Sequence, residues 1–194
     1  MNILGNKKSF LVLAGANGSG KSTIAEGFLE TETFDYINAD DIAKEMNPSD
    51  ISKVRISAGK EFNRRINNNF EAGISFAIET TLSGNTYIDT FKKAKCLGYS
   101  IILVYTFVDN PQVCIERIKT RVQNGGHFIP DEDVIRRYFR SKKKFWDIYK
   151  DMSDVWFIYY NGNENYILVA QKELEKDIAI LNESLYTLFK ETED

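Results

Sequence analysis

The sequence predicts an α/β fold: a mostly parallel five-stranded sheet with helices on both faces. Three observations carry this expectation. Strand-like apolar runs alternate with amphipathic helical stretches along the whole chain, the pattern that builds parallel sheets through helical crossovers. Two runs, Phe10–Ala14 (FLVLA) and Ser100–Val108 (SIILVYTFV), are apolar with little alternation, as strands covered on both faces must be. Between the first strand and the first helix stands a glycine-rich segment, GANGSGKS.

That segment fits G-x-x-x-x-G-K-[ST], with Gly15, Gly20, Lys21 and Ser22 at the fixed positions. Its glycines let the backbone N–H groups of Ala16, Asn17, Gly18 and Ser19 turn inward around phosphates. The helix from Lys21 onward then points its positive N-terminal end at them. Lys21 would neutralise the β/γ-phosphates and the Ser22 hydroxyl would hold Mg²⁺, with Thr23 closing the nucleotide-binding stretch. The strand–loop–helix context therefore predicts a P-loop NTPase fold that binds a nucleoside triphosphate with Mg²⁺.

The remaining elements follow in order. The first helix is expected to end near Leu29–Glu30, before a TETF turn. Phe34–Ala39 reads as a short strand, after which Asp40 or Asp41 caps the helix IAKEM, closed by Pro48. Val54, Ala58, Phe62 and Ile66 recur at helical spacing and predict a helix over Ile51–Phe70, stopped by Gly73. Ser75–Glu79 reads as the third strand, Tyr87–Leu97 as a helix and Ser100–Val108 as the fourth strand. Asn110-Pro111 opens a helix that breaks at Gly125-Gly126, and Pro130-Asp131 restarts one that reaches Tyr149. Val155–Tyr160 reads as a strand, Gly162 as a turn, Tyr166–Ala170 as a hairpin partner and Leu174–Phe189 as a closing helix. With no repeat and no linker, residues 1–194 read as one domain.

Composition narrows the function classes. With 43% hydrophobic and 27% charged residues, the chain is an ordinary globular one. A net charge of −3 gives no general attraction to nucleic acid, so no nucleic-acid partner is expected. Cys96 and Cys114 match no metal spacing and read as thiols of a reducing compartment. The single histidine, His127, rules out a multi-histidine metal site. No signal peptide or membrane-length apolar run is visible, so no membrane partner and a cytoplasmic location are expected.

Ligands of open α/β sheets collect at the carboxyl ends of the strands. Asp40-Asp41, Glu79-Thr80-Thr81 and Asp109-Asn110 fall there beside the glycine loop. An aspartate leaving a strand that neighbours the first can accept the proton of an attacking hydroxyl; Asp40 is the better placed, and Asp41 the better helix cap. Glu79 suits the metal's water shell or a substrate hydroxyl. Arg117 and Arg121, the Gly125-Gly126-His127 break and Arg136-Arg137 describe a lid over about residues 117–137, whose arginines would stabilise the transferring phosphate. Lys142-Lys143-Lys144 reads as a solvated helix face, and Trp146 and Trp156 as core.

The segments GANGSGKST, INADDIAKEMNP, AGISFAIETTLS and RVQNGGHFIPDEDVIRRY together resemble the zeta-toxin-like group of P-loop kinases, over roughly residues 9–161. The resemblance implies an ATP- and Mg²⁺-dependent kinase acting on a small-molecule hydroxyl, with a sugar hydroxyl of UDP-N-acetylglucosamine as the acceptor to try first. It also implies a neutralising antitoxin protein as partner. By motif position, Lys21 and Ser22 carry the nucleotide, Asp40 is the catalytic base, and Arg117 or Arg121 supplies a catalytic arginine. Glu79 and Thr81 match substrate-pocket positions, with Asn63, His127 and Arg136 in the remaining substrate-side places. Asn63 stands where the family has a glutamate, Ser83 where it has an arginine, and His127 where it has a lid arginine. The loop and following aspartate also resemble a polynucleotide 5′-hydroxyl kinase, and the altered Asn63 and His127 leave open a nucleotide-dependent switch with little catalysis.

Overall fold

A computed structural model describes residues 7–29, 34–162 and 165–191. The expected TETF turn falls largely outside these residues. The sheet runs β2-β3-β1-β4-β5-β6-β7. Its first five strands in that order are parallel: β2 (Asp35–Ile37), β3 (Phe76–Thr80), β1 (Ser9–Ala14), β4 (Ser100–Phe107) and β5 (Val155–Asn161). These are the five parallel strands expected. Two antiparallel strands, β6 (Tyr166–Lys172) and β7 (Ala179–Ile180), extend the sheet to seven.

β1 lies at the centre, paired with β3 and β4. Successive side chains of a strand point to opposite faces. Phe10, Val12 and Ala14 accordingly join one core cluster while Leu11 and Leu13 join another. The larger cluster lies under α2 (Ala39–Met46), α3 (Arg55–Ala72) and α4 (Ile88–Cys96), with Phe10 ringed by Phe70, Phe76 and Phe91. The opposite face is covered by α1 (Lys21–Leu29) through Ile24 and Ala25. α5 (Pro111–Gln123) and α6 (Asp131–Lys144) share a third cluster that includes Ala16 of the glycine loop. α6 continues as a π-helical turn over Phe145–Tyr149 and a last turn, α7 (Lys150–Met152).

Several elements depart from expectation. The helix foreseen over Ile51–Phe70 begins as a 3-10 turn, Ile51–Val54, capped by Asp50. The closing helix is confined to α8 (Glu183–Lys190), with Asn182 accepting from the Leu185 N–H. Upstream of it, Ala179–Ile180 pairs with β6, and the Leu181 and Asn182 N–H groups donate to the Val169 carbonyl. Pairing to an open sheet edge overrides the helical spacing of Leu174, Ile178 and Leu181, all of which stay exposed. Lys142 is not on a solvated face: it is buried, and its ammonium donates to the Leu188 and Glu191 carbonyls at the end of α8. Trp156 is fully buried and Trp146 packs beside it.

β2 does not neighbour β1, because β3 lies between them. The premise that Asp40 leaves a strand next to the first therefore fails. Asp40 instead occupies the first turn of α2, one step beyond the strand.

Candidate active site

The glycine loop links β1 to α1 and is held in an unusual backbone. Gly15, Gly18 and Gly20 have φ of 140°, 81° and 96°, all in territory that favours glycine. A Cβ on Gly20 would collide with the side chains of Asn161 and Tyr166. Those two residues brace the loop from the end of β5 and the start of β6. The Asn161 amide donates to the Ser19 carbonyl (2.8 Å) and the Tyr166 hydroxyl to the Gly20 carbonyl (2.6 Å). Ser19 also meets Thr106 of β4, hydroxyl to hydroxyl at 2.9 Å.

Lys21 opens α1 with its ammonium folded back over the loop, donating to the Ala16 carbonyl at 2.9 Å. Burial pushes its pKa down, and the Glu79 carboxylate at 3.8 Å partly restores it. Glu79 is the polar hub of the site. Register places it beside Leu13 of β1, at the strand end from which the loop departs. Its Oε2 accepts from Ser22 Oγ (2.9 Å), Tyr36 OH (2.7 Å) and Asn38 Nδ2 (3.2 Å). Burial first, and the adjacent Glu79 charge second, push the Tyr36 phenol well above its ordinary range. Tyr36 is therefore a fixed donor to that carboxylate.

Asn38, not either aspartate, caps α2, accepting from the Asp40 N–H at 2.8 Å. Asp40 and Asp41 follow in the first helical turn, where the helix dipole favours negative charge. Asn38 supplies the cap, and Asp40 lines the cavity that opens over the loop.

A cavity of about 550 Å³ opens over the loop, lined by Asn17, Gly18, Gly20–Thr23, Asp40, Glu79, Arg117 and Arg121 among others. Both arginines project from α5. Arg117 donates to the Asn161 and Gly162 carbonyls (3.3 and 2.9 Å), and Arg121 to the His127 carbonyl (3.2 Å). A second cavity of about 240 Å³ lies alongside, between α2, the start of α3 and the segment after α5. Asn17 and Asp40 line both cavities, and His127 lines the second.

The structure thus brings together the loop, Lys21, Ser22, Thr23, Asp40, Glu79, Arg117, Arg121 and His127. It leaves three of the expected substrate residues outside both cavities. The Asn63 amide donates to Gly59 of its own helix, Thr81 meets Ser83, and Arg136 pairs with Asp133 at 2.6 Å. Their places are taken by Arg55 and by Arg137, whose guanidinium donates to the Asn17 side chain at 3.0 Å. Helical periodicity explains the exchange of Arg136 for Arg137: one residue turns a side chain by about 100°, and only Arg137 faces the loop. The loop braces Asn161 and Tyr166 carried no motif. In the sequence they show only as residues flanking the Gly162 turn between two strands.

A family model described as an AAA domain matches residues 10–143. The chain belongs to that family. An uncharacterized protein of Haemophilus influenzae is 36% identical over 136 residues, covering 70% of this chain and 95% of the relative. Among solved structures, a chain of the AvrRxo1-ORF1:-ORF2 complex with ATP superposes with a TM-score of 0.77 at 14% identity. That match covers 98% of this chain and 65% of the other, so this chain spans about two thirds of its length. The PezAT chromosomal toxin-antitoxin system of Streptococcus pneumoniae gives a TM-score of 0.65 at 17% identity, covering 86% and 72%. At these identities the likeness is one of fold, the P-loop kinase-like α/β fold with helices flanking a mostly parallel sheet.

Proposed function

We propose that the chain is an ATP- and Mg²⁺-dependent kinase of the zeta-toxin-like group, transferring the γ-phosphate to a hydroxyl of a small molecule. The observation that carries this reading is that Asp40 lines both cavities. The larger suits a triphosphate, by its glycine cradle and Lys21, and the smaller suits the acceptor. An aspartate shared between them is placed to receive the acceptor's proton as its oxygen attacks phosphorus. Arg117 and Arg121 stabilise charge on the transferring group. The residues present fit Mg²⁺: Ser22 Oγ and the Glu79 carboxylate are oxygen donors 2.9 Å apart at the loop's end. When bound, Mg²⁺ would supply charge neutralisation on the β- and γ-phosphates.

Residues 1–194 act in this reading as one kinase domain with a lid over residues 117–137. A sugar hydroxyl of UDP-N-acetylglucosamine is the first acceptor to test, and a neutralising protein is the expected partner, supported by the family resemblance and the PezAT fold likeness. The test is γ-labelled ATP offered with a panel of hydroxyl compounds, neutral and phosphorylated. Label on an acceptor, lost in Lys21→Ala, is the expected result. ATP binding without label on any acceptor, sugar, nucleotide or oligonucleotide, would favour a switch protein instead.

A further inference from the structure

The second cavity carries a charge pattern that says what kind of acceptor it takes. Its polar lining consists of Asn17, Asp40, Arg55, His127 and Arg137. Arg137 is already engaged, with Asn17 and with Asp133 of its own helix. Arg55 is different. At the first turn of α3, it makes no hydrogen bond or ion pair among the described residues, although Arg64 and Arg65 on the same helix are both paired with Glu61. It also lies near His127, whose pKa burial pushes down first and the Arg55 charge second. Asp40 is the one carboxylate lining the cavity, and the proposed reaction uses it for the acceptor hydroxyl.

We infer that the acceptor carries an anionic group, phosphate or carboxylate, which sits on Arg55 beside His127 while its hydroxyl faces Asp40. This rests on the kinase reading above and narrows its substrate class. A guanidinium presents a planar fork of donors suited to such anions. Arg55 is exposed, so it can meet a bound anion without giving up an existing partner. At about 240 Å³ the cavity has room for the anion-bearing part of an acceptor next to Asp40. Arg55 lies outside the lining of the larger cavity, so it serves the acceptor rather than ATP.

The single histidine makes the test direct, because the imidazole ring-proton resonances all belong to His127. The full chain is saturated with Mg²⁺ and a non-hydrolysable ATP analogue, which occupies the loop. It is then titrated with inorganic phosphate, and separately with acetate, at constant ionic strength. The His127 signal should shift saturably with at least one anion, and which one identifies the group. Arg55→Ala should raise the midpoint at least tenfold. Lys60→Ala, which removes a cation from the same helix outside the cavity, should leave it unchanged. No saturable shift with either anion, or an unchanged midpoint in Arg55→Ala, overturns the inference. If the analogue itself fails to bind, the triphosphate reading falls and this inference with it; if it binds and His127 stays silent, this inference alone falls.

Discussion

At the scale of single residues, the site is a set of backbone and side-chain dipoles arranged before any ligand arrives. Lys21 is buried, held by one carbonyl and one carboxylate, and its desolvation opposes its charge. It therefore adds little to folding and much to anion binding. Lys21→Ala should weaken triphosphate binding by roughly ten- to a hundredfold, the worth of one charged hydrogen bond. Its unfolding free energy should stay within about 1 kcal/mol of wild type, because Glu79 keeps three other donors. Equilibrium titration and thermal melts of the same preparation check both halves. Asn161→Ala removes the amide that holds the Ser19 carbonyl, and should cost about 1 kcal/mol of stability while loosening the loop. Unchanged stability and unchanged nucleotide affinity in that variant would show that the brace is idle. The loop was legible in the sequence because its chemistry is local: glycine spacing, lysine, serine. Asn161 and Tyr166 were not, since they meet the loop across 142 and 146 positions through the sheet order alone.

At the scale of elements, α5 is anchored by buried Ile115 and Ile118 and by Arg117, whereas the segment after it has few side-chain bonds. Arg121 reaches one carbonyl of the segment between α5 and α6, and Lys119 pairs with Asp131 at an exposed 3.6 Å. Such exposed pairs are weak, so residues 124–130 should exchange amide hydrogens more readily than α5 in the free chain. Exchange there should slow when ATP analogue and acceptor are both bound. Equal protection with and without ligands would make the segment a fixed connection. The far end of α6 behaves oppositely. Lys142 is buried under α8, which drives its pKa down to about 8 from 10.5. Between those values the unfolded chain binds the extra proton, so Lys142's contribution to stability is lowest below pH 8 and rises as pH climbs towards 10.5. Wild type should gain on Lys142→Met by about 1–3 kcal/mol between pH 7 and 10, read as the difference of two unfolding curves. A flat difference would contradict the burial of a charged amine. The triple lysine concealed this, because charge runs usually face water and nothing local marks the one that turns inward.

At the scale of the whole molecule, topology decides which residues meet. The alternation of strands and helices revealed the parallel sheet and the two-faced core, since both follow from period and burial. Strand order did not show, and the insertion of β3 between β1 and β2 changed the route by which Asp40 reaches the loop. That insertion also explains Glu79, which stands directly beside the first strand instead of at a distance from it. Asp40 lines both cavities, and in the proposed reaction it stands between nucleotide and acceptor. The measurement that tests it most directly is single-turnover phosphate transfer at saturating ATP by wild type, Asp40→Ala and Asp41→Ala. Asp40→Ala should bind ATP nearly as well as wild type yet transfer on the order of a hundred- to ten-thousandfold more slowly, while Asp41→Ala stays near wild type. Transfer lost in Asp41→Ala and kept in Asp40→Ala, or kept in both, would contradict the account.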